Sequence, residues 1–379
     1  MILSCCHRLS ARCARAPALA LLLLLLLLLM LPAAHAELVY VGSQGRQIQA
    51  LRFDPASGKL ELIGAVAEGL RPTWTLAHPR LPILYAVDDD SGKEGTVSAF
   101  AVQRASGALR KLNQAPTGGN GATHLSLDLP SHTLFAANFG GGSSASIAVR
   151  PDGSLGPLVS VLKAQGAGPH RRQASAHAHA SAIDPSGNYL LVPDLGADRV
   201  FVHGYDAATR VLSPGQAFSA PPGSGPRHLV FGADGRFVYL LNELSADVMA
   251  LGWEAGAGRL SLVQTVATSS DGFAGAKSGA EIARSADGRF LYVANRGEHA
   301  LLVYGIDPVS GRLALLQRIG SGGETPWSFA LHASGKWLLV ANQRSGGVHV
   351  FGVDAASGLL SDAGMSVAVA TPVNLSFVP

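Results

Sequence analysis

The chain has 379 residues, of which 47% are hydrophobic, 6% aromatic and 15% charged, with 45 glycines and 21 prolines. Its formal charge is +3, and Arg8, Arg12 and Arg15 supply the whole excess, so the remainder is electrically balanced and has no basic stripe of the kind that binds nucleic acid. Cys5, Cys6 and Cys13 are the three cysteines and all lie near the start, which excludes disulfides and thiol chemistry from the rest of the chain.

An apolar run over residues 19–31 follows the arginines, and Ala34-His35-Ala36 places small residues at −3 and −1 of a cleavage point. The pattern predicts a signal peptide over residues 1–36, a chain that begins at Glu37, and a periplasmic or secreted protein with no membrane attachment after cleavage. The alternative is a retained anchor, but spanning a bilayer takes ~20 apolar residues and the run is shorter. No cysteine follows it, so no lipid-anchored cysteine is expected.

From residue 37 onward one pattern recurs seven times. Each copy carries an aliphatic or aromatic strand that ends at Gly42, Asp88, Asn138, Asp194, Asn242, Asn295 or Asn342, at spacings of 46 to 56 residues. That is the length of a propeller repeat. The fifth copy shows four strand-like pieces, over residues 228–231, 237–241, 247–253 and 260–266, each bounded by Gly, Asp or Ser. The expected fold is all-β: a seven-bladed β-propeller of four-stranded antiparallel blades over residues 37–379.

The two ends of this region are complementary. The first copy lacks an inner strand, because Glu37 begins directly at the second-strand position. The last residues, 371–378, resemble an inner strand with nothing after it, as comparison with Thr325-Pro326-Trp327-Ser328-Phe329-Ala330 shows. The C-terminal strand should therefore complete the first blade and close the ring, leaving no open seam. Asn374-Leu375-Ser376 matches a glycosylation triplet but falls on this closing strand, where it is read as accidental.

In such a blade the inner strand starts on the face where the second strand ends, so equivalent positions of all copies ring one mouth of the central channel. The first positions of the inner strands are Thr73, Thr123, His179, Arg227, Ala280, Trp327 and Val373. The residues just past the second strands are Ser43, Asp89, Phe139, Leu195, Glu243, Arg296 and Gln343. Charge and imidazole concentrate in three successive copies, at His179, Arg227 with Glu243, and Arg296. The repeat does not need them there, since other copies use Thr, Ala, Phe or Gln. They are read as a ligand site at the mouth, against the alternative of an inter-blade salt-bridge network. His177 shares the strand face of His179.

Several segments together resemble the seven-bladed lactonase family, which includes the bacterial propeller-type 6-phosphogluconolactonase and the fungal carboxymuconate lactonising enzyme. They are Arg172-Gln173 with His177-Ala178-His179, Asp194 to Arg199, Gly225-Pro226-Arg227-His228, Asn242-Glu243-Leu244, Ala280-Glu281-Ile282, Asp287 to Tyr292 and Ala341-Asn342-Gln343. The resemblance spans residues 38–378. It implies lactone chemistry by a His, two Arg and a Glu, which fall on His179, Arg227, Glu243 and Arg296. His177, Arg172, Asp89, Trp327 and Gln343 are the expected substrate-binding or supporting residues. The chain departs from the family pattern at Pro326-Trp327, where Pro-Arg is common, and at Arg71-Pro72, where Asn-Pro is usual. An export signal is a further departure for an enzyme acting on a cytoplasmic sugar phosphate lactone.

Hydrolysis of a lactone needs an activated water and a place for charge on the carbonyl oxygen. Glu243 or His179 would accept the water proton, and an arginine would hold the oxyanion or a substrate carboxylate or phosphate. No Gly-x-Ser-x-Gly elbow is present. No cofactor or metal is expected: His177 and His179 would put two imidazoles on one face, but no third zinc ligand is evident, and the mouth offers calcium mainly Glu243 and Asp89 against two arginines. The expected partner is a small lactone or sugar acid, with the oligomeric state left open. A non-catalytic binding propeller and a lactonising enzyme are the competing readings.

Overall fold

The computed structural model describes residues 36–378; the leader predicted over residues 1–36 lies, but for Ala36, outside the described residues. Among the described residues, twenty-eight strands form seven four-stranded antiparallel sheets arranged as blades. Blade 5, for example, runs outward through Pro226–Phe231, Phe237–Asn242, Asp247–Glu254 and Arg259–Ala267. The seven-bladed all-β propeller expected from the repeat is the observed fold.

The strand sequences follow from their depth. A second strand has both faces packed on neighbouring blades and so reads as an unbroken apolar run. Trp337–Asn342 is buried from Leu338 onward, for the same reason that doubly covered strands elsewhere lose alternation. Outer strands such as Leu360–Ala368 are mostly exposed and alternate. Between third and outer strands an aspartate fixes the turn: Asp354 Oδ1 accepts from the Ala356 and Ser357 amides, and Gly358 takes the positive φ of 73° that the turn needs. Second-strand tyrosines tie three blades to the next, as Tyr40, Tyr85 and Tyr292 donate to the carbonyls of Gly107, Gly153 and Gly358 in the equivalent turns.

Pro372–Val378 is the inner strand of blade 1. It pairs antiparallel with Glu37–Ser43, from Leu38 opposite Val378 to Ser43 opposite Pro372. The seam against blade 7 is apolar, with Val39, Val41, Leu51 and Phe53 packed on Leu339, Ala341, Val348 and Val350. Asn374 is buried here and accepts from the Thr75 amide and hydroxyl at 2.8 and 2.6 Å. Its side chain serves the joint between blades 1 and 2.

Where the inner strand begins, the ladder slips in five of the seven blades. Pro226 pairs with Asn242 but His228 with Leu241, so Arg227 is bulged out; the same shift leaves out Thr123, Trp327 and Val373, and another falls between Gly279 and Ile282. A bulge adds one residue and re-aims side chains locally. Thr123, Arg227, Trp327 and Val373 thereby line the channel, as Thr73 and His179 do.

Candidate active site

The residue after each second strand is fixed by one backbone bond, from its amide to the carbonyl two residues before the bulge. Glu243 bonds to Gly225, Arg296 to Ser278, Gln343 to Thr325, Asp89 to Arg71, Phe139 to Gly121 and Leu195 to His177. In blade 1 the bonding residue is Gln44, to Thr371, where the sequence suggested Ser43. Ser43 instead extends the strand by one residue, pairs with Pro372 and donates its hydroxyl to Gln47 within the hairpin.

Glu243 is the centre of the site. Its Oε2 accepts from Arg227 Nε at 2.9 Å, and its Oε1 meets Arg296 Nη2 at 3.0 Å and Arg172 Nη1 at 2.5 Å. Arg172 arrives from outside the repeat register, on the long connection between blades 3 and 4. That connection is pinned by the fully buried Gln173, which donates to the Leu195 carbonyl and to Asp198 at 2.8 and 2.6 Å. Burial alone would raise the Glu243 carboxyl, but Arg296 and Arg227 hold it well below the usual carboxylate range. Burial and the neighbouring Arg296 push Arg227 down to about 10, against the pull of Glu243 and Glu281.

His179 stands beside this network with Nε2 3.6 Å from Glu243 Oε2, too far for a hydrogen bond. Burial, then Arg227 and His228, keep its imidazole well below the ordinary value, so it is neutral at pH 7. Its Nδ1 and the Nε of Arg296 are buried without a hydrogen-bond partner among the described residues. The Arg296 guanidinium lies over the Trp327 ring, 4.5 Å from its centre.

A cleft of about 610 Å³ opens over these groups, lined by Arg172, His179, Glu243, Arg296, Trp327 and, on the far side, Asp89. His177 and Gln343 stand apart from it. His177 bonds through Nδ1 to the Phe139 carbonyl at 2.7 Å, stacks on the Phe139 ring and lines an adjoining recess. Gln343 donates to Gln44 at 2.9 Å on the rim.

Beneath Arg227 lies a buried layer that the sequence reading did not pick out. Its guanidinium rests on the His228 ring, with Nη1 3.2 Å from both ring nitrogens, and donates to the Ala280 carbonyl. His228 Nδ1 meets Glu281 Oε1 at 2.8 Å, and Glu281 also accepts from Ser328. His124 and Trp74 pack against His228 lower in the channel. The available signal was the pair of adjacent polar residues at the start of an inner strand, Arg227-His228, since a bulge lets consecutive side chains enter the channel.

The family model for "Lactonase, 7-bladed beta-propeller" matches residues 38–377. The chain belongs to the seven-bladed β-propeller lactonase family. Within it, the chain is 33% identical over 288 residues to the 6-phosphogluconolactonase of Bacillus subtilis, covering 76% of this chain and 81% of that one. Among solved structures of propeller lactonases and their relatives, it is similar to the periplasmic gluconolactonase PpgL of Pseudomonas aeruginosa, with 38% identity, a TM-score of 0.84 and 90% and 99% of the two chains covered. A putative 6-phosphogluconolactonase of Bacteroides fragilis aligns with 32% identity and a TM-score of 0.83 over 91% and 98%.

Proposed function

We propose that this propeller lactonase is exported and hydrolyses the lactone of a sugar acid at the channel mouth, in the manner of a 6-phosphogluconolactonase or gluconolactonase, with His179, Arg227, Glu243 and Arg296 as the catalytic set. The supporting observation is convergence: three guanidiniums meet one buried carboxylate beneath an open cleft. Guanidiniums lining a cleft suit a site where negative charge develops, as it does on the carbonyl oxygen of a lactone under attack and on the carboxylate product.

In this reading Arg227 and Arg296 stabilise the oxyanion, and Arg172 reaches the acid end of the product. Glu243 holds the three in register. His179, neutral, closes the wall beside them. Trp327 presents an aromatic surface at the mouth, suited to the C–H face of a sugar ring. Both oxygens of Glu243 are committed to arginines and its basicity is depressed, so the geometry favours a clamp over a proton acceptor.

Export is supported by the leader pattern and by the periplasmic description of PpgL. A chain working outside the cytoplasm meets free sugar-acid lactones more readily than phosphorylated ones.

The test is direct. Purified chain is incubated with a panel of γ- and δ-lactones, phosphorylated and free, and the released acid is titrated at constant pH. Hydrolysis well above the spontaneous rate is expected for aldonic δ-lactones. Tight binding without acid release would make the mouth a binding site, and lactone formation from an unsaturated diacid would make it a lactonising one.

A further inference from the structure

Two carboxylates line the cleft, Glu243 and Asp89. They sit three blades apart on the ring, on facing sides of the mouth, and differ in what they have left to do. Glu243 has both oxygens on arginines. Asp89 accepts one hydrogen bond, through Oδ2 from the Thr73 hydroxyl at 2.9 Å, and its Oδ1 has no partner among the described residues. Asp89 also lines the narrow channel below, with His179 and Arg227, and the side recess that holds His177.

We propose that Asp89 is the base that activates the attacking water, an inference that rests on the lactonase reading of this mouth. Asp89 takes a proton from water as the water oxygen bonds to the lactone carbonyl carbon. The carbonyl electron pair moves onto its oxygen, toward the Arg227 and Arg296 side. When the tetrahedral adduct collapses, the ring C–O bond breaks and the proton on Asp89 passes to the leaving ring oxygen. Water and lactone have become hydroxy acid, and the new carboxyl loses its own proton to solvent.

The other titratable groups at the mouth fit the task less well. His179 directs Nε2 toward Glu243 and buries Nδ1. His299 accepts the Thr325 amide on Nδ1, so in its neutral form Nε2 carries the proton. His177 keeps a free Nε2 but lines the recess beside Asp89, away from the arginines. Around Asp89 itself stand Arg71, Asp88 and Asp90, the last two paired with Lys93. Across the cleft stand Arg172, Arg296 and Glu243. Burial raises the Asp89 carboxyl above its ordinary value, against the Thr73 bond and Arg71, which makes it a better proton acceptor when ionised.

The experiment is the pH dependence of kcat/KM for D-glucono-1,5-lactone and the rest of the lactone panel, in wild type, Asp89→Asn, Thr73→Val and His177→Gln. Wild type should lose activity on the acid side with an apparent pKa above that of a free aspartate. Asp89→Asn, which can still accept the Thr73 bond, should lose roughly a hundredfold or more in kcat along with the acid limb. Thr73→Val removes a bond that favours the ionised form, so its limb should move to higher pH. His177→Gln should keep the limb. A wild type inactive on the whole panel overturns the lactonase reading. An active wild type whose Asp89→Asn variant keeps its rate and acid limb overturns Asp89 alone, as does a limb that vanishes in His177→Gln instead. If Asp89→Asn fails to fold, an unmoved limb in Thr73→Val overturns it.

Discussion

Arg227 donates through Nε to Glu243 Oε2 at 2.9 Å, and both side chains are only 3% exposed. At that depth the Glu243 carboxylate offsets two buried guanidiniums, so removing its charge leaves Arg227 and Arg296 without the partner they share. Glu243→Gln should therefore cost about 3–5 kcal/mol of stability as well as activity. Arg172→Ala removes a partner that is 42% exposed and should cost less than about 1 kcal/mol. Denaturant melts of the two variants check the contrast; equal losses would contradict it.

Arg227→Ala and Arg296→Ala should each weaken transition-state stabilisation by about 2–4 kcal/mol, read from kcat/KM after correction for the folded fraction. Activity that falls only in step with the folded fraction would reduce the network to ion pairs holding blades together. Full turnover in a well-folded Glu243→Gln, Arg227→Ala double variant would exclude the site altogether.

Stability should decline on mild acidification. Burial first of all depresses the pKa of His124, His179 and His228 well below the ordinary 6.5. The unfolded chain then binds protons that the folded one refuses, so their contribution is complete above about pH 6.5 and is lost as pH falls below it, at about 1.4 kcal/mol per pH unit for each histidine. Glu243 acts in the same direction further down, from its ordinary 4.5 toward its depressed folded value. Melting temperatures between pH 8 and 5 test this, and a flat profile would show that these imidazoles titrate freely.

A chain ending at Ala370 should not fold. Val373, Leu375 and Val378 are almost completely buried in the closing strand, and burial of each is worth about 1.5–3 kcal/mol. Together that is comparable with the whole stability of a typical domain, about 5–15 kcal/mol. A soluble truncated protein with an unchanged melting temperature would contradict the assignment.

The exported form should begin at Glu37. Mass spectrometry of protein recovered from the periplasm or medium reads this directly. Material that keeps Met1 and stays in the cytoplasm would remove the argument against a pentose phosphate substrate.

Much of this could be read from the residues before any coordinates. The second strands are legible because burial on both faces forbids polar residues until the strand ends, as Leu338-Leu339-Val340-Ala341-Asn342 shows. Ring closure is legible because residues 371–378 repeat a strand that the first copy lacks. Arg227, Glu243, Arg296 and His179 stand out because, Asp89 apart, the equivalent positions of the other copies are neutral. Other features depend on offsets that a repeat alignment averages away. Gln44 takes the place expected for Ser43 because the first strand runs one residue further, to Ser43. His228 and Glu281 enter the channel because bulges upset alternation. Arg172 lies on the connection between blades 3 and 4, outside the repeat, so the family resemblance marks it as a supporting residue while its reach to Glu243 emerges only from the fold.

The closing strand also decides which way the molecule faces when it is held. Pro372–Val378 starts at the arginine mouth and runs away from it, while Glu37–Ser43 runs toward it, so Glu37 and Val378 both lie at the far end of the channel. Glu37 is clasped there by His332 at 3.0 Å. Anything joined to the chain at either point, whether an affinity tag, a fused domain or a solid support, leaves from the face remote from Glu243. A propeller held at Glu37 or at Val378 presents its cleft to the solution.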